Sequence, residues 1–117
     1  MIVQEQCKAL FDVMEVEGKR LCKPFALKEG KFGIGGVVAI SKNDELEICM
    51  MFEVVRFYEG AQRTLFYTDQ AICAKGGEEL VGKAAELAYR IFEEVTRFKS
   101  EKVKEGIEKE FLSLLHQ

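Results

Sequence analysis

One segment of the chain, GKFGIGGVVAI at residues 30–40, has the glycine density of a phosphate-binding loop. Its first and third glycines have the spacing of a GxxxxGK[ST] loop, but Gly36 and Val37 stand where that loop needs lysine and a hydroxyl residue. The dinucleotide motif GxGxxG also fails, because Val38 replaces its last glycine and a β-branched stretch follows instead of a helix. The segment therefore predicts a strand without a phosphate site.

The same glycines have a structural explanation. If residues 43–44 form a two-residue hairpin loop, Gly35 lies opposite Phe52 on the core side of the sheet, and Gly33 shares that side. Missing side chains there would let a helix, or a neighbouring aromatic ring, approach the backbone closely. Gly36 points to the opposite side and is expected to mark a β-bulge.

Asp69 is the residue best suited to a ligand site, because it interrupts the strand pattern TLFYTDQAIC. A two-residue loop at residues 60–61 places it on the face of Phe52, whereas a three-residue loop places it opposite Glu53, an unfavourable like-charge pair. The carboxylate is then a ligand-binding group, a member of a buried ion pair, or an exposed edge residue. A ligand pocket between the sheet and the helices would be lined by Asp69, Tyr67, Arg56 and Cys73.

The cysteine and histidine content argues against thiol catalysis, a metal site and a disulfide framework. Four cysteines lie at positions 7, 22, 49 and 73 with no CxxC pair. Each lies in an apolar or alternating segment, where cysteine behaves as a small buried hydrophobe. The one histidine, His116, is the penultimate residue, so a Cys–His pair is not expected. We expect no catalytic residue, no cofactor and no metal.

The composition is that of one globular domain over residues 1–117. Apolar residues make up 48% of the chain and charged residues 32%. No apolar run approaches the roughly 20 residues of a membrane helix. The N-terminus lacks the basic and apolar regions of a secretory signal. We therefore expect a soluble, cytoplasmic protein that does not enter a membrane.

The net charge of −3 disfavours general nucleic-acid binding. The charges are unevenly placed, however. Residues 19–31 hold five basic residues and one acidic residue, whereas residues 44–59 hold five acidic residues and one basic residue. Such a division can steer a partner or support self-association. Nucleic-acid binding through residues 19–31 stays a third alternative, behind protein binding and small-molecule binding.

Hydrophobic spacing predicts one helix, four strands and further helix. Apolar residues at three- and four-residue steps indicate an amphipathic helix over residues 2–16. Connections too short for crossovers make the sheet an antiparallel meander. Residues 78–98 carry a broad apolar face opposite acid–base pairs four residues apart. The fold class is therefore α+β, with helices on one face of the sheet. The strands are expected near residues 20–28, 32–41, 45–58 and 63–74.

Residues 100–116 carry a narrower apolar stripe in phase with the helix before it, since Val103 lies eleven residues after Phe92. One unbroken helix from Glu78 to His116 would be about 58 Å long, more than a compact domain of this length accommodates. Either the chain bends near residues 99–101, or the projecting end packs on a second copy. Both alternatives bury the stripe.

The fourth strand predicts a surface for pairing with another chain. Its TLFYT stretch has no lysine or proline before Lys75, so nothing guards an exposed edge against pairing. A twofold homodimer is the commonest homo-oligomer and would cover this edge.

The predicted function is a small non-catalytic protein-interaction module, adaptor or chaperone-like, that acts as a homodimer. The alternative is a small-molecule-binding domain or enzyme that uses the pocket around Asp69. The candidate interface consists of Thr64, Phe66, Thr68, Val103, Ile107, Phe111 and Leu114.

Overall fold

The computed structural model of the chain describes residues 22–42 and 46–116. Four strands precede two helices, which confirms the predicted α+β order for this part of the chain. The helix predicted over residues 2–16 lies outside the described residues. The strands are β1 Cys22–Glu29, β2 Phe32–Lys42, β3 Leu46–Tyr58 and β4 Ala61–Ala74, and the helices are α1 Gly77–Thr96 and α2 Glu101–Leu115.

The strands form one antiparallel sheet in the order β1-β2-β3-β4, as their short connections predict. Gly30 and Gly60, with φ values of 59° and 74°, form the turns before β2 and β4. β1 is an edge strand, in agreement with Pro24, which has no N–H group to donate to a neighbouring strand. β4 is the other edge. Both helices pack on the same side of the sheet, here named the helix face; the opposite side is named the far face.

The core lies between the helix face and the two helices. Phe52 of β3, Phe92 of α1 and Phe111 of α2 are almost completely buried in it. Phe111 also packs edge-to-face on Phe25 of β1, with ring centres 5.2 Å apart. Burial of each such ring stabilises the fold by roughly 1.5–3 kcal/mol relative to an exposed one. The second helix is therefore held against β1 by its own apolar stripe.

The pairing of β2 with β3 differs by one residue from the predicted register. Lys42 pairs with Leu46, so three residues rather than two separate the strands. Gly36 consequently lies opposite Phe52, and Gly35 lies opposite Glu53. A shift of one residue exchanges the two faces of a strand. The predicted core-side position of Gly33 and Gly35 is therefore wrong, and both lie on the far face.

Gly36 allows the strands beside it to come close on the helix face. It pairs with Phe25 of β1 and with Phe52 of β3, two buried aromatic residues. A Cβ atom added at Gly36 would lie 2.6 Å from the Phe52 Cα and would overlap the Met51 carbonyl oxygen. Both ladders run through this position without a shift, so the bulge predicted here is absent.

The aromatic cover predicted for the glycine segment is present, but on the far face. The Phe57 ring lies across the backbone of Gly33, where an added Cβ would be 2.8 Å from Phe57 Cε2. The Lys28 ammonium lies 4.5 Å from the centre of the same ring. Ring and cation together shield a strand position that has no side chain of its own.

Two separate helices replace the single helix considered as one alternative. Arg97 ends α1 in the left-handed conformation, with φ of 59°. Ser100 begins α2 as its N-cap and accepts a hydrogen bond from Val103 N. The Ser100 hydroxyl also donates to Glu29 of β1, and its backbone N–H donates to the Tyr89 hydroxyl. The bend predicted near residues 99–101 is confirmed, and these bonds fix its direction.

The acid–base pairs predicted from their four-residue spacing form along α1, except at its C-terminal end. Glu79 pairs with Lys83 at 3.1 Å, and Glu86 pairs with Arg90 at 2.9 Å. Glu93 does not pair with the residue four positions later, because that residue has left the helix. It pairs instead with Lys99 at 3.5 Å.

Candidate functional site

The outer edge of β4 is the most exposed apolar surface of the sheet. Every residue from 61 to 67 is exposed, and residue 68 is half-buried. We name residues 61–68 the β4 edge. Its large apolar side chains Leu65, Phe66 and Tyr67 are 38%, 39% and 55% exposed, and Tyr58 at the start of the hairpin is 49% exposed. Single exposed apolar residues are ordinary, but consecutive large apolar residues exposed on an edge strand are typical of a strand that pairs with another chain.

A β-bulge interrupts the β4 edge. Val54 pairs with Phe66 and Val55 pairs with Thr64, so Leu65 has no opposite residue on β3. A bulge increases the local twist and is one of the devices that make an edge less ready to pair. The sequence contains no sign of it, because neither glycine nor proline lies at this position.

The bulge divides the three interface residues predicted on β4 between the two faces. Phe66 and Thr68 pair with core residues and lie on the helix face. Thr64 pairs with Val55 on the far face, where its hydroxyl donates to Glu53 Oε2 at 2.8 Å. Thr64, Phe66 and Thr68 therefore share the strand edge but not one face of the sheet.

The interface residues predicted on the last helix lie inside the chain. Val103 is 2% exposed, and the other three have no exposed surface. All four side chains belong to the core that the helices form with the sheet. The stripe is thus buried by β1 and α1 of the same chain, and in this conformation it offers no surface to a partner. The set comprises Val103, Ile107, Phe111 and Leu114.

The residues predicted to line a ligand pocket are not brought together. Asp69 pairs with Met51 and Tyr67 pairs with Glu53, which places both on the far face; Cys73 has the same parity. Arg56 is half-buried on the helix face, where its guanidinium lies 5.7 Å from the Phe32 ring.

Neither hairpin loop considered for this region is correct. Tyr58 pairs with Ala61 across a two-residue turn, and the bulge then shifts the register by one. Asp69 therefore lies opposite a methionine rather than on the face of Phe52 or opposite Glu53.

On the far face, Asp69 and Tyr67, two of the predicted pocket residues, are in contact. The Tyr67 hydroxyl donates to Asp69 Oδ1 at 3.1 Å in an exposed position. Asp69 itself is half-buried. Glu53 lies on the same face, so that two carboxylates and a phenol share this part of the sheet. An exposed hydrogen bond of this kind fixes the orientation of the two side chains. It is not by itself a ligand site.

Arg56 and Arg63 are direct neighbours across β3 and β4. No sequence pattern predicts this pairing. Arg56 pairs with Arg63, and like charges in that position repel. Arg56 is held over aromatic rings, with its guanidinium 5.1 Å from the Tyr58 ring centre. Its Nε is buried without a hydrogen-bond partner. No ion pair within the described residues includes either arginine. The pair lies at the turn end of the β4 edge and makes that end positive.

Two cavities formed by described residues lie away from the predicted pocket residues. One of about 240 Å³ lies mostly over the far face, lined by Ala26, Gly33, Gly35, Glu53 and Val55 among others. Another of about 400 Å³ lies between the helices and includes Val81, Gly82 and Leu112. Neither includes Arg56, Tyr67 or Asp69.

The chain shows no significant similarity to a protein-family model, to a curated protein or to a solved structure. Neither α1 nor α2, the helices of the described part, is long and apolar enough to cross a membrane.

Proposed function

We propose that this chain is a non-catalytic protein-interaction module that acts as a homodimer and binds through the β4 edge. One observation carries the proposal: the consecutive residues Leu65, Phe66 and Tyr67 are exposed on a strand whose outer side has no neighbour in the described sheet. A strand of this type can bind a further strand by extending the sheet.

The backbone of β4 supplies the first part of such binding. In an antiparallel ladder alternate residues of an edge strand turn their N–H and C=O groups outward, where a second strand can bond to them. β4 is fourteen residues long, so a partner has a long row of these groups available. The bulge at Leu65 limits regular pairing to the segments on either side of it.

The apolar side chains supply the second part. Phe66 projects on the helix face beside the core residue Val54, and Tyr67 projects on the far face beside Glu53. A partner strand would cover side chains on both faces at once, each square ångström contributing roughly 25 cal/mol. A second copy of the chain is the occupant we propose, because a twofold axis lets the same edge serve both partners.

An adaptor or chaperone-like role follows if the same edge also receives extended segments of other proteins. The geometry gives the small-molecule alternative less support, because Arg56 lies on the opposite face of the sheet from Tyr67, Asp69 and Cys73. Binding of nucleic acid also has no specific support, since Lys23 of the basic segment is engaged with Glu110 of α2 at 2.8 Å.

The test compares two substitutions at equally exposed apolar residues. Phe66 on β4 is 39% exposed and Leu112 on α2 is 36% exposed. Molar mass is measured by light scattering over a range of micromolar concentrations for the unmodified chain, Phe66→Lys and Leu112→Lys. We expect a dimer for the unmodified chain and for Leu112→Lys, and dissociation to the monomer for Phe66→Lys, because a lysine on the edge opposes strand pairing.

Circular dichroism and the melting temperature show whether each variant keeps its fold. A monomeric unmodified chain at the highest concentration would refute the dimer. A dimer that survives Phe66→Lys but not Leu112→Lys would place the interface on α2 and would equally contradict the proposal.

A further inference from the structure

The turn end of the sheet carries a row of four paired residues on the helix face. Glu29 pairs with Phe32, Phe32 pairs with Arg56, and Arg56 pairs with Arg63. The segment between α1 and α2 lies over the first half of this row, where the Phe98 ring packs on the Phe32 ring with centres 5.9 Å apart. The two arginines form the other half, on the side of the β4 edge.

The arginine half of the row is open to solvent. Arg63 is exposed and Arg56 is half-buried. On the same face, Tyr58 and Phe66 are 49% and 39% exposed, so the helices do not cover this corner of the sheet. We name Arg56, Arg63, Tyr58 and Phe66 the arginine corner. A ligand in solution therefore has access to both guanidinium groups.

Neither arginine of this corner is neutralised within the described chain. No hydrogen bond or ion pair among the described residues includes Arg56 or Arg63, and Glu59 in the adjacent turn pairs with neither. By contrast, the exposed Arg90 of α1 bonds to Glu86 at 2.9 Å. Because like charges directly opposite each other repel, an anion between the two arginines would remove a repulsion and gain charge-assisted hydrogen bonds.

The guanidinium of Arg56 is oriented by aromatic rings. It lies 5.7 Å from the centre of the Phe32 ring and 5.1 Å from that of the Tyr58 ring. Its Nε is buried without a hydrogen-bond partner. A buried donor without an acceptor is uncommon in folded proteins and indicates a place for a water, an ion or a ligand. The side chain is thus held in one orientation while its hydrogen-bonding capacity is unused.

We propose that Arg56 and Arg63 together bind a phosphate group. Directly opposite residues of an antiparallel pair have Cβ atoms about 5 Å apart, so both guanidinium groups can reach one tetrahedral anion. Each guanidinium offers a fork of N–H donors that matches two phosphate oxygens. A phosphate monoester carries close to two negative charges at neutral pH, which balances the two arginines, whereas a carboxylate carries only one.

The arginine corner is distinct from the ligand pocket predicted from the sequence. It includes none of Tyr67, Asp69 and Cys73, which lie on the far face. It uses side chains of the helix face and no backbone group of the β4 edge, so it does not depend on the pairing of that edge with a second copy. An organic phosphate would place its apolar part against the exposed rings of Tyr58 and Phe66, whereas free phosphate would not use them.

The first experiment follows each arginine separately. The full chain, labelled with carbon-13, is titrated with inorganic phosphate at about pH 7, and sodium chloride is lowered in step to keep the ionic strength constant. We expect the Cζ signals of Arg56 and Arg63 to shift with one common half-saturation, and that of Arg90 to stay unchanged because Glu86 occupies it. Equal shifts at all arginines, or no shift at either Arg56 or Arg63, would overturn the proposal.

The second experiment removes one exposed arginine at a time. Arg63→Gln is compared with the matched control Arg90→Gln, and circular dichroism shows that each variant is folded. We expect the half-saturating phosphate concentration to rise roughly tenfold or more in Arg63→Gln, because charge-assisted hydrogen bonds are lost, and to stay the same in the control. Arg63→Lys keeps the charge but not the fork, so a smaller rise is expected. Unchanged phosphate binding in Arg63→Gln would contradict the proposal.

Two further ligands test the selectivity of the site and the source of the phosphate. Acetate carries one charge, and we expect it to bind about tenfold more weakly than phosphate under the same conditions. Acetate that binds as tightly as phosphate would refute a phosphate site. Phenyl phosphate that binds more tightly than inorganic phosphate would identify an organic phosphate whose apolar part contacts Tyr58 and Phe66. Phenyl phosphate that binds no more tightly would identify free phosphate as the ligand.

Discussion

Arg56 of β3 and Arg63 of β4 face each other directly across the hairpin, with no carboxylate of the described chain paired to either. Each arginine lies in an otherwise ordinary strand, and only the bulged register of β3 and β4 puts them side by side. The positive end of the β4 edge is a consequence of this pairing. We expect this pairing of like charges to lower the stability of the fold.

Arg63→Glu should stabilise the fold, because it replaces a like-charge pair with an opposite-charge pair. The exposed position of Arg63 limits the gain to the range of cross-strand pairs, about 0.2–1 kcal/mol. Urea unfolding at low salt measures it, and the gain should shrink as salt screens the charges. Arg63→Gln, which only removes the repulsion, should give a smaller increase. An Arg63→Glu protein less stable than the unmodified chain would show that the two arginines do not interact.

Gly36→Ala should destabilise the fold by at least about 2 kcal/mol, since the new methyl group would overlap the backbone of β3 and one strand must move. The control is Gly82→Ala in α1, where a Cβ meets nothing within 4 Å. That change should stabilise the chain by up to about 1 kcal/mol. Thermal and urea unfolding of both proteins test the pair. Equal effects at the two glycines would be inconsistent with the observed register.

Gly33 and Phe57 should be energetically coupled. Gly33→Ala should be costly while the Phe57 ring covers the glycine, and much less so once the ring is removed by Phe57→Ala. A double-mutant cycle on the free energy of unfolding should therefore give an interaction term of about 0.5 kcal/mol or more. Additive effects of the two substitutions would mean that the ring does not shield the strand.

Ser100→Ala should lower the free energy of unfolding by about 1–2 kcal/mol. The hydroxyl caps α2 through Val103 N and also donates to Glu29 of β1, and the residue is 7% exposed. Loss of an N-cap alone typically costs about 1 kcal/mol, and the Glu29 carboxylate loses a partner as well. Ser100→Thr keeps the hydroxyl and should restore most of the stability. Full stability in Ser100→Ala would show that the cap is not needed for the bend between the helices.

The order and type of the described elements were predictable from the chain because they depend on local rules. Strand alternation, turn glycines at positions 30 and 60, and helical spacing in residues 78–98 act over a few residues each. The same rules allowed either a bend near residues 99–101 or one long helix, and they did not decide between the two. That decision depends on Ser100, whose partners Glu29 and Tyr89 are 71 and 11 residues away in sequence.

The candidate site was predictable only in part. The β4 edge follows from strand order and from a lysine-free apolar stretch, both readable from the chain. The faces of its residues do not, because one bulge at Leu65 and one additional residue in the β2–β3 connection each exchange the two sides of a strand. The additional residue moved Gly35 to the face opposite the one predicted, and the bulged register separated Arg56 from Tyr67 and Asp69.

The amino-acid sequence by itself determined the α+β class, the meander and the amphipathic stripes, since each arises from contacts between residues near in the chain. Only the tertiary structure decided that the last stripe is buried by β1 and α1, that Gly36 lies between Phe25 and Phe52, and that Ala39 and Cys49 have no exposed surface. Register, and the choice of which apolar surface meets which, depend on packing between elements distant in sequence. Such packing leaves no periodic signal within any one of them.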